Sequence, residues 1–345
     1  MKNLILITFI LLFVFSCGKE EKKSGGENNA SSTQTAAKQT KPGEKAELVL
    51  LRYKFNKGDK HKYKVKTSSQ NIQTVISDTT LETKIEQNVE YRINLTVKKV
   101  EPDSSAEVRV FISKITAGID FNGQKIKYDS KMLYSKRERQ QFLEYEALKK
   151  TPFYVKIDKM GKVTGATDID KLFKNVLEIQ QVPDTLSKQT KENMKKQLEN
   201  ITVIPLVQQL FKIIPDYKVG VDSIWQFSYP STLGPFQINN IATYKLTGLI
   251  EEGNNRLAKI AASLNAEWKG ENHINENGID YKFSEPVITG GGSVLFDVTN
   301  GMVKKAETET GFTMEVTMKT QNPDSELKKG TRKDYNSTKN VIEKL

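Results

Sequence analysis

Residues 89–98 read VEYRINLTVK, the most regular stretch of the chain. Apolar residues occupy every second position, and charged or polar residues occupy the positions between them. This period of two places alternate side chains on opposite faces of a β-strand, with one face buried and the other in water. The stretch therefore predicts an antiparallel sheet with one apolar face, which needs a second layer to cover it.

The same alternation recurs on both sides of a central region with a different period. It is found at residues 60–67, 108–112, 153–157, 224–229, 244–250, 258–264, 294–298 and 314–318. Asn122-Gly123 and Asn300-Gly301 suit tight hairpin turns. The glycines at 290–292 are predicted to form a further turn.

Between the two β-rich regions the apolar residues recur every 3.6 positions, which is typical of helices. Thr167 and Asp170 are predicted to cap the first of these helices, and Pro205 to interrupt the second. An earlier helix is predicted over residues 135–149, because Ser135 and Glu138 have the spacing of a capping box.

We therefore predict an α+β fold of curved, half-barrel-like antiparallel sheets in two similar β-rich halves, with helices packed on the concave face. The internal repeat is suggested by Gly58, which precedes Tyr63 by five positions, as Gly220 precedes Trp225. The predicted segments are a signal peptide (1–16), a lipidated flexible tether (17–46), a first β-rich half (47–166), a helical segment (167–217), a second β-rich half (218–322) and a polar, loose C-terminal tail (323–345).

The N-terminus has the features of an exported protein. Lys2 precedes an apolar run from Leu4 to Phe15, which is too short to span a bilayer and has the length of a signal-peptide core. Ser16 precedes Cys17, the single cysteine. This arrangement resembles the signal of bacterial lipoproteins, which implies cleavage after Ser16 and attachment of acyl chains to Cys17. The alternative is an ordinary secretory leader with an incidental cysteine.

Residues 18–23 read GKEEKK and resemble the export signal of surface lipoproteins of the Bacteroidota; a solvated spacer explains them equally well. Residues 18–45 are rich in small and polar residues, which predicts a flexible tether. The expected location is the cell envelope, with the lipid in the outer membrane and the body facing the periplasm or the cell surface.

Composition limits the classes of function. Hydrophobic residues make up 37% and the mean hydropathy is -0.53, so the body beyond the signal is expected to be soluble. Removing residues 1–16 lowers the formal charge from +11 to +10. Positive charge favours anionic membranes or acidic polymers as partners, although lysines on solvated strand faces explain it too. Nucleic acid is not an expected partner, because no recognition motif occurs.

Three segments resemble uncharacterised, duplicated, β-rich lipoproteins of the Bacteroidota: YKFNKGD at 53–59, VDSIW at 221–225 and FDVTNG at 296–301. This resemblance covers nearly all of the chain after the signal. More distantly, the predicted architecture resembles the half-barrel-plus-helix fold of periplasmic lipoprotein carriers and localisation factors. That second likeness concerns the fold alone.

Residues that carry catalysis or bind metals are sparse. His61 and His273 are the two histidines, and neither belongs to a zinc-binding pattern. The glycines at 290–292 precede a strand and not a helix, so they do not predict a phosphate loop. Turn and helix-start chemistry explains the candidate acids better than catalysis, at Asp158, Asp168, Asp170 and Asp297. We predict no enzyme activity, no cofactor and no metal, with a hydrolase as the less favoured alternative.

Two functional hypotheses remain from the sequence. In the first, a non-enzymatic envelope lipoprotein binds a hydrophobic or lipid-like ligand between sheet and helices. The residues expected to line that cavity are Leu206, Val207, Leu210, Phe211 and Trp225. In the second, these residues fill the core, and the lipoprotein works through its surface with a protein partner in an envelope assembly.

Overall fold

The computed structural model describes residues 47–182, 185–233, 235–276, 278–320 and 329–345. The predicted signal peptide and tether, with Cys17, lie outside the described residues. The strands are β1 (Val49–Leu50), β2 (Lys60–Ile76), β3 (Thr80–Val100), β4 (Ala106–Phe121), β5 (Gln124–Asp129), β6 (Phe153–Ile157), β7 (Val163–Thr167), β8 (Lys218–Val219), β9 (Ile224–Leu233), β10 (Phe236–Glu252), β11 (Asn255–Lys269), β12 (His273–Glu276), β13 (Ile279–Phe283), β14 (Val287–Asp297), β15 (Met302–Thr320) and β16 (Lys329–Lys344). The helices are α1 (Lys136–Gln141), α2 (Leu143–Leu148), α3 (Asp170–Gln180), α4 (Lys188–Leu198) and α5 (Ile204–Gln208), with a π-helical turn at Glu199–Val203.

Nearly all the strands belong to one large antiparallel sheet. Its order is β7-β6-β4-β3-β2-β16-β15-β14-β11-β10-β9, with β5 beside β4 and the β12–β13 pair beside β15. The sheet is curved and unclosed, and β7 and β9 end the path. The prediction of a β-rich, curved antiparallel architecture is confirmed. The two halves share this one sheet, and β1 and β8 form a separate pair.

The prediction of a loose C-terminal tail was wrong. Residues 323–328 lie outside the described part, but Lys329–Lys344 form β16, which pairs with β2 on one side and β15 on the other. Thr338 and Asn340 of this strand are buried, and the Thr67 hydroxyl of β2 donates to Asn340 Oδ1 at 2.7 Å. A polar sequence therefore lies in the middle of the sheet, because both neighbours satisfy its backbone and a hydrogen bond satisfies a buried side chain.

The two halves begin with hairpins of the same geometry. The Gly58 N–H donates to Val97 O at 2.9 Å, and the Asp222 N–H donates to Leu246 O at 2.8 Å. The ladder shifts register directly after Val97 and after Leu246. Gly58 and Asp222 also share a positive φ, of 95° and 71°. The hairpins thus equate Gly58 with Asp222, whereas the sequence comparison matched it with Gly220.

The predictions for the helix starts are confirmed only in part. The capping box of α1 is confirmed: the Ser135 N–H donates to the Glu138 carboxylate at 2.8 Å, and the Glu138 N–H donates to Ser135 Oγ at 3.4 Å. The Thr167 cap was wrong, since Thr167 ends β7 and α3 begins at Asp170 without a side-chain cap. Pro205 does not interrupt a helix, because the π-helical turn precedes it and Pro205 lies in the first turn of α5.

One core lies between the sheet and the helices. Strands from both halves and residues of α2, α3 and α5 contribute to it. Its bulkiest fully buried side chains include Tyr53, Tyr63, Phe153, Phe211 and Phe296. A smaller apolar cluster at the far end of β9 and β10 contains Leu233, Phe236, Ile238, Phe312, Met314 and Val316. Helices and strands thus share the main apolar core, as expected for a sheet with one apolar face.

Across the described ranges, the helices are too short or too polar for any of them to cross a membrane.

Candidate functional site

The five residues predicted to line a ligand cavity all lie in the main core. Leu206 is 7% exposed, Val207 and Leu210 are 0%, Phe211 is 1% and Trp225 is 6%. The α5 helix and the turn after it carry the first four, and β9 carries Trp225. All five belong to the same large core, and none of them lines either of the two hollows described below.

Tyr53 ties the N-terminal segment of the body to the helical layer. Its hydroxyl donates to Lys212 O at 3.0 Å and accepts from the Lys212 N–H at 2.7 Å. Its ring makes edge contacts with Phe211 and Phe296, each at 5.3 Å between centroids. Burial raises the pKa of Tyr53 well above its ordinary value, so the phenol stays protonated and can both donate and accept.

Trp225 is fixed in the same core by its polar atom as well as by its ring. Its indole Nε1–H donates to Ile213 O at 3.2 Å. The ring stacks on Tyr244, with the centroids 5.8 Å apart. A buried indole whose N–H is satisfied by the backbone behaves as a permanent part of the core.

Lys212 places an ionisable amine in this core. Lys212 is 6% exposed. Burial lowers the pKa of the Lys212 amine from 10.5 to about 8, since a low-dielectric environment disfavours the charged form. Sequence reasoning did not single out this residue, because one lysine after an apolar helical face looks like a solvated helix end.

The larger of the two hollows is a groove of about 730 Å³ across β14, β15 and β16, which we call the outer groove. Glu307 and Glu309 line it and alternate along β15 with the buried Thr308 and Thr310, so most of the groove lies on the face away from the core. The lining residues are Val287, Thr289, Gly290, Gly291, Gly292, Ser293, Glu307, Thr308, Glu309, Gly311, Phe312, Thr313, Tyr335, Ser337 and Lys339.

Four glycines line the outer groove. The predicted turn at residues 290–292 was wrong, because these glycines lie inside β14. A Cβ on Gly292 would collide with Glu307 O of the neighbouring strand, and a Cβ on Gly311 would come within 2.9 Å of Thr289 Oγ1. Glycine is therefore needed there for close approach of strands and not for a turn. The signal in the sequence was a glycine triplet without the Asn, Asp or Pro that usually accompanies a turn.

The outer groove combines hydroxyl groups with one neutralised ion pair and an exposed ring. Lys339 Nζ lies 2.5 Å from Glu307 Oε1. The hydrogen bond from Lys339 lowers the pKa of Glu307, and the same bond raises the pKa of Lys339. Tyr335 at the other end is 41% exposed. These groups suit hydrogen bonding and ring contact with a partner.

The second hollow, of about 330 Å³, lies where β2 begins and β16 ends, and we call it the basal cavity. Its lining residues are Lys54, Asn56, Asp59, Lys60, His61, Thr299, Asn300 and Lys344. His61 Nε2 is buried and has no hydrogen-bond partner among the described residues. Burial, and then the neighbouring Lys344, lower the pKa of His61. The sequence could not bring His61 and Lys344 together, because they lie at opposite ends of the body.

The other candidate residues described here lie in turns or on the surface. The carboxylate of Asp158 accepts from two backbone N–H groups of its own turn, at 2.9 and 2.8 Å, and that of Asp297 accepts from one at 2.8 Å. This agrees with turn chemistry. His273 Nε2 lies 3.5 Å from Asp280 on the surface. Among the described residues, no group of three or more His, Cys, Asp or Glu side chains could hold a metal ion.

Known structures resemble this fold only distantly. A structure titled "lipid-protein interactions in lipovitellin" matches with a TM-score of 0.41 and 10% identity over 85% of this chain. The match spans 25% of the lipovitellin chain. An outer membrane channel of Pseudomonas putida F1 matches with a TM-score of 0.17 and 10% identity, covering 89% of this chain and 100% of that one. OccK7 (OpdD) of Pseudomonas aeruginosa matches with a TM-score of 0.21 and 7% identity, covering 83% of this chain and 99% of that one. At these scores the likenesses say nothing about ligands, partners or location.

No curated protein sequence matches the chain. One family model does match, over residues 103–303, and its description is a family of unknown function, DUF6263. The matched stretch runs from the turn before β4 to the start of β15 and includes both hollow-forming and core-forming elements of the sheet. Because it covers more than half of the sequence, the chain belongs to the DUF6263 family.

Proposed function

We propose that the chain is a non-enzymatic lipoprotein of the bacterial cell envelope, anchored in the outer membrane through Cys17, that acts through its surface in an envelope assembly. The observation that carries the second half of this proposal is the filled interior. The residues that an internal ligand would have to touch are at most 7% exposed. In this proposal the helices cover the concave face of the sheet and close it.

The polar atoms inside the core support the same conclusion. The Tyr53 hydroxyl is hydrogen-bonded to the Lys212 backbone, and the Trp225 indole N–H donates to Ile213 O. These groups are therefore already paired within the protein and are not needed by a ligand. A pocket for a drug-sized or lipid-like ligand usually has roughly 300–1,000 Å³ of largely apolar space. The basal cavity is lined instead by amide, hydroxyl and charged groups, and the outer groove, which does have such a volume, lies mostly on the face of the sheet away from the core.

The outer groove is the part of the surface best suited to a partner protein. It runs across β16, β15 and β14, each of which is paired on both sides, so the interior of the sheet holds its lining side chains. Its hydroxyl groups and the exposed ring of Tyr335 resemble the mixture of polar and aromatic contacts common in protein interfaces. Val287, 57% exposed, adds an aliphatic side chain at the same end.

The anchor is tested by metabolic labelling of the full chain with palmitate, compared with Cys17→Ala. We expect label on the unsubstituted protein and none on the variant. Label on both proteins, or on neither, would contradict the anchor.

The filled interior is tested on the same lipidated protein by native mass spectrometry. We expect the mass of the chain with its own acyl groups and no further lipid. A stoichiometric co-purified lipid that is lost in Leu210→Phe, which adds volume inside the core, would favour the competing hypothesis of a ligand between sheet and helices. The matched control is Val287→Phe, which adds volume at an exposed position.

A further inference from the structure

Residues 125–137, KIKYDSKMLYSKR, form a surface that the proposed function does not use. This segment, which we call the basic loop, covers β5 except its first residue, a loop and the first two residues of α1. It contains five cations and one carboxylate. It therefore carries a net charge of +4 within 13 residues.

Two aliphatic side chains project from the middle of the basic loop. Leu133 is 96% exposed and Met132 is 59% exposed, and Ile126 within β5 is 44% exposed. A fully exposed leucine beside an exposed methionine is unfavourable in water, because about 1.5–3 kcal/mol is available for burying each such side chain. Exposure of this kind indicates a surface that is covered in the functional state.

The exposure does not come from a loosely held segment. The Asp129 N–H donates to the Tyr134 hydroxyl at 2.8 Å, and the Met132 N–H donates to Asp129 O at 2.9 Å. The ring of Tyr134 stacks on that of Tyr128, with the centroids 5.1 Å apart. Backbone and ring contacts on both sides thus fix the loop, and they present Met132 and Leu133 to the solvent.

No ion pair among the described residues explains the three cations nearest to these side chains in sequence. Lys131, Lys136 and Arg137 are exposed, and none of them forms an ion pair with a carboxylate in the described part of the chain. Lys136 and Arg137 lie in the first turn of α1, where acidic residues are the ones that the helix dipole favours. Residues that break a local stability rule without compensation are typical of functional surfaces.

We infer that the basic loop docks on an anionic lipid bilayer, with Met132 and Leu133 in the headgroup region and the cations beside the lipid phosphates. Apolar side chains flanked by lysine and arginine are the usual composition of surfaces that lie on membranes. Two aliphatic side chains on a protruding loop suit a fluid interface better than a shaped protein pocket. The inference deepens the proposed envelope location by assigning the body a second membrane contact, but its test does not use the lipid anchor.

The test measures binding of the unlipidated chain, residues 17–345 with Cys17→Ala, to sedimenting vesicles. We expect it to bind vesicles of phosphatidylglycerol and phosphatidylethanolamine at low salt and to bind vesicles of phosphatidylcholine at least tenfold more weakly, roughly as expected for several cations near an anionic surface. Equal binding to both kinds of vesicle, or no binding to either, would overturn the inference. Failure of palmitate labelling would leave it standing.

Two pairs of variants separate the loop from the overall positive charge. Met132→Gln with Leu133→Gln should weaken binding at least about tenfold, whereas Val221→Gln with Ile224→Gln, two exposed aliphatic positions elsewhere, should leave it unchanged. Circular dichroism and thermal melting check that each variant is folded.

The second pair of variants tests the charges, and each of its two variants carries three substitutions. Replacing Lys131, Lys136 and Arg137 by Gln should weaken binding on the order of 100-fold. The control replaces three exposed lysines outside the loop by Gln, at Lys218, Lys259 and Lys269. An equal loss in this control would show that net charge alone attracts the protein, which would contradict docking through the basic loop.

Discussion

Replacing Tyr53 by Phe removes one hydroxyl from the junction between the N-terminal segment and the helical layer. The hydroxyl is the partner of both backbone groups of Lys212, the N–H at 2.7 Å and the carbonyl oxygen at 3.0 Å. Tyr53 is 1% exposed, so water cannot replace the lost partner without a rearrangement. Phe keeps the ring and its contacts with Phe211 and Phe296, and the substitution therefore isolates the two hydrogen bonds.

The size of the effect follows from the number of polar groups left unpaired. Each buried group without a partner costs about 1–3 kcal/mol. Tyr53→Phe leaves two such groups, which gives a loss of roughly 2–6 kcal/mol in the free energy of unfolding. Tyr63→Phe is the matched control, because its hydroxyl, also fully buried, donates to one acceptor, Val303 O at 3.0 Å. It leaves one group and should cost about 1–3 kcal/mol.

The assay is equilibrium unfolding in urea followed by tryptophan fluorescence, with Trp225 close to the substituted site. We expect the urea midpoint to fall further for Tyr53→Phe than for Tyr63→Phe, at unchanged slope. The reasoning would be refuted if the two variants lost equal stability, or if Tyr53→Phe lost less than about 0.5 kcal/mol, the range of ordinary surface substitutions.

Three further predictions concern the core and the sheet. Lys212→Met should raise the free energy of unfolding by up to roughly 3 kcal/mol at pH 7. The penalty of a protonated buried amine is fully present below pH 8 and disappears between about 8 and 10.5, because the unfolded chain binds more protons there, so urea titrations should show the variant's advantage vanish across that window. Gly292→Ala should cost about 1–3 kcal/mol in the same assay, since its Cβ collides with Glu307 O. Gly291→Ala, with its nearest atom at 3.5 Å, should cost far less. Ending the chain at residue 328 should abolish the β-sheet signal in circular dichroism, because it removes the strand between the two halves.

The elements that alternate regularly could be predicted from the sequence. The stretch at residues 89–98 lies within β3, and its apolar positions Val89, Tyr91, Ile93, Leu95 and Val97 are all buried. The capping box of α1 was equally readable, because it depends on two side chains three positions apart. In both cases the signal lies within a few neighbouring residues, so the strand or helix can be recognised without knowing its distant partners.

Features that depend on a distant neighbour could not be predicted. Gly292 is a glycine inside a strand because Glu307 and Thr308 of β15 lie too close for a side chain, and nothing near it in sequence indicates this. His61 lines a cavity next to the Lys344 amine only because the last strand, β16, pairs with β2. The basic loop was visible as charge, but the exposure of Leu133 depends on how Tyr134 is held.

By itself, the sequence determined that this protein is a largely antiparallel β structure with a helical segment between its β-rich halves, because periods of two and 3.6 require each segment to bury one face. Only the tertiary structure decided that both halves join in one sheet and that the polar segment Lys329–Lys344 lies between them. The physical reason is that a strand's place in a sheet depends on backbone hydrogen bonds, which any sequence can form. Side chains such as Thr338 and Asn340 become acceptable inside once neighbouring strands and side chains satisfy them.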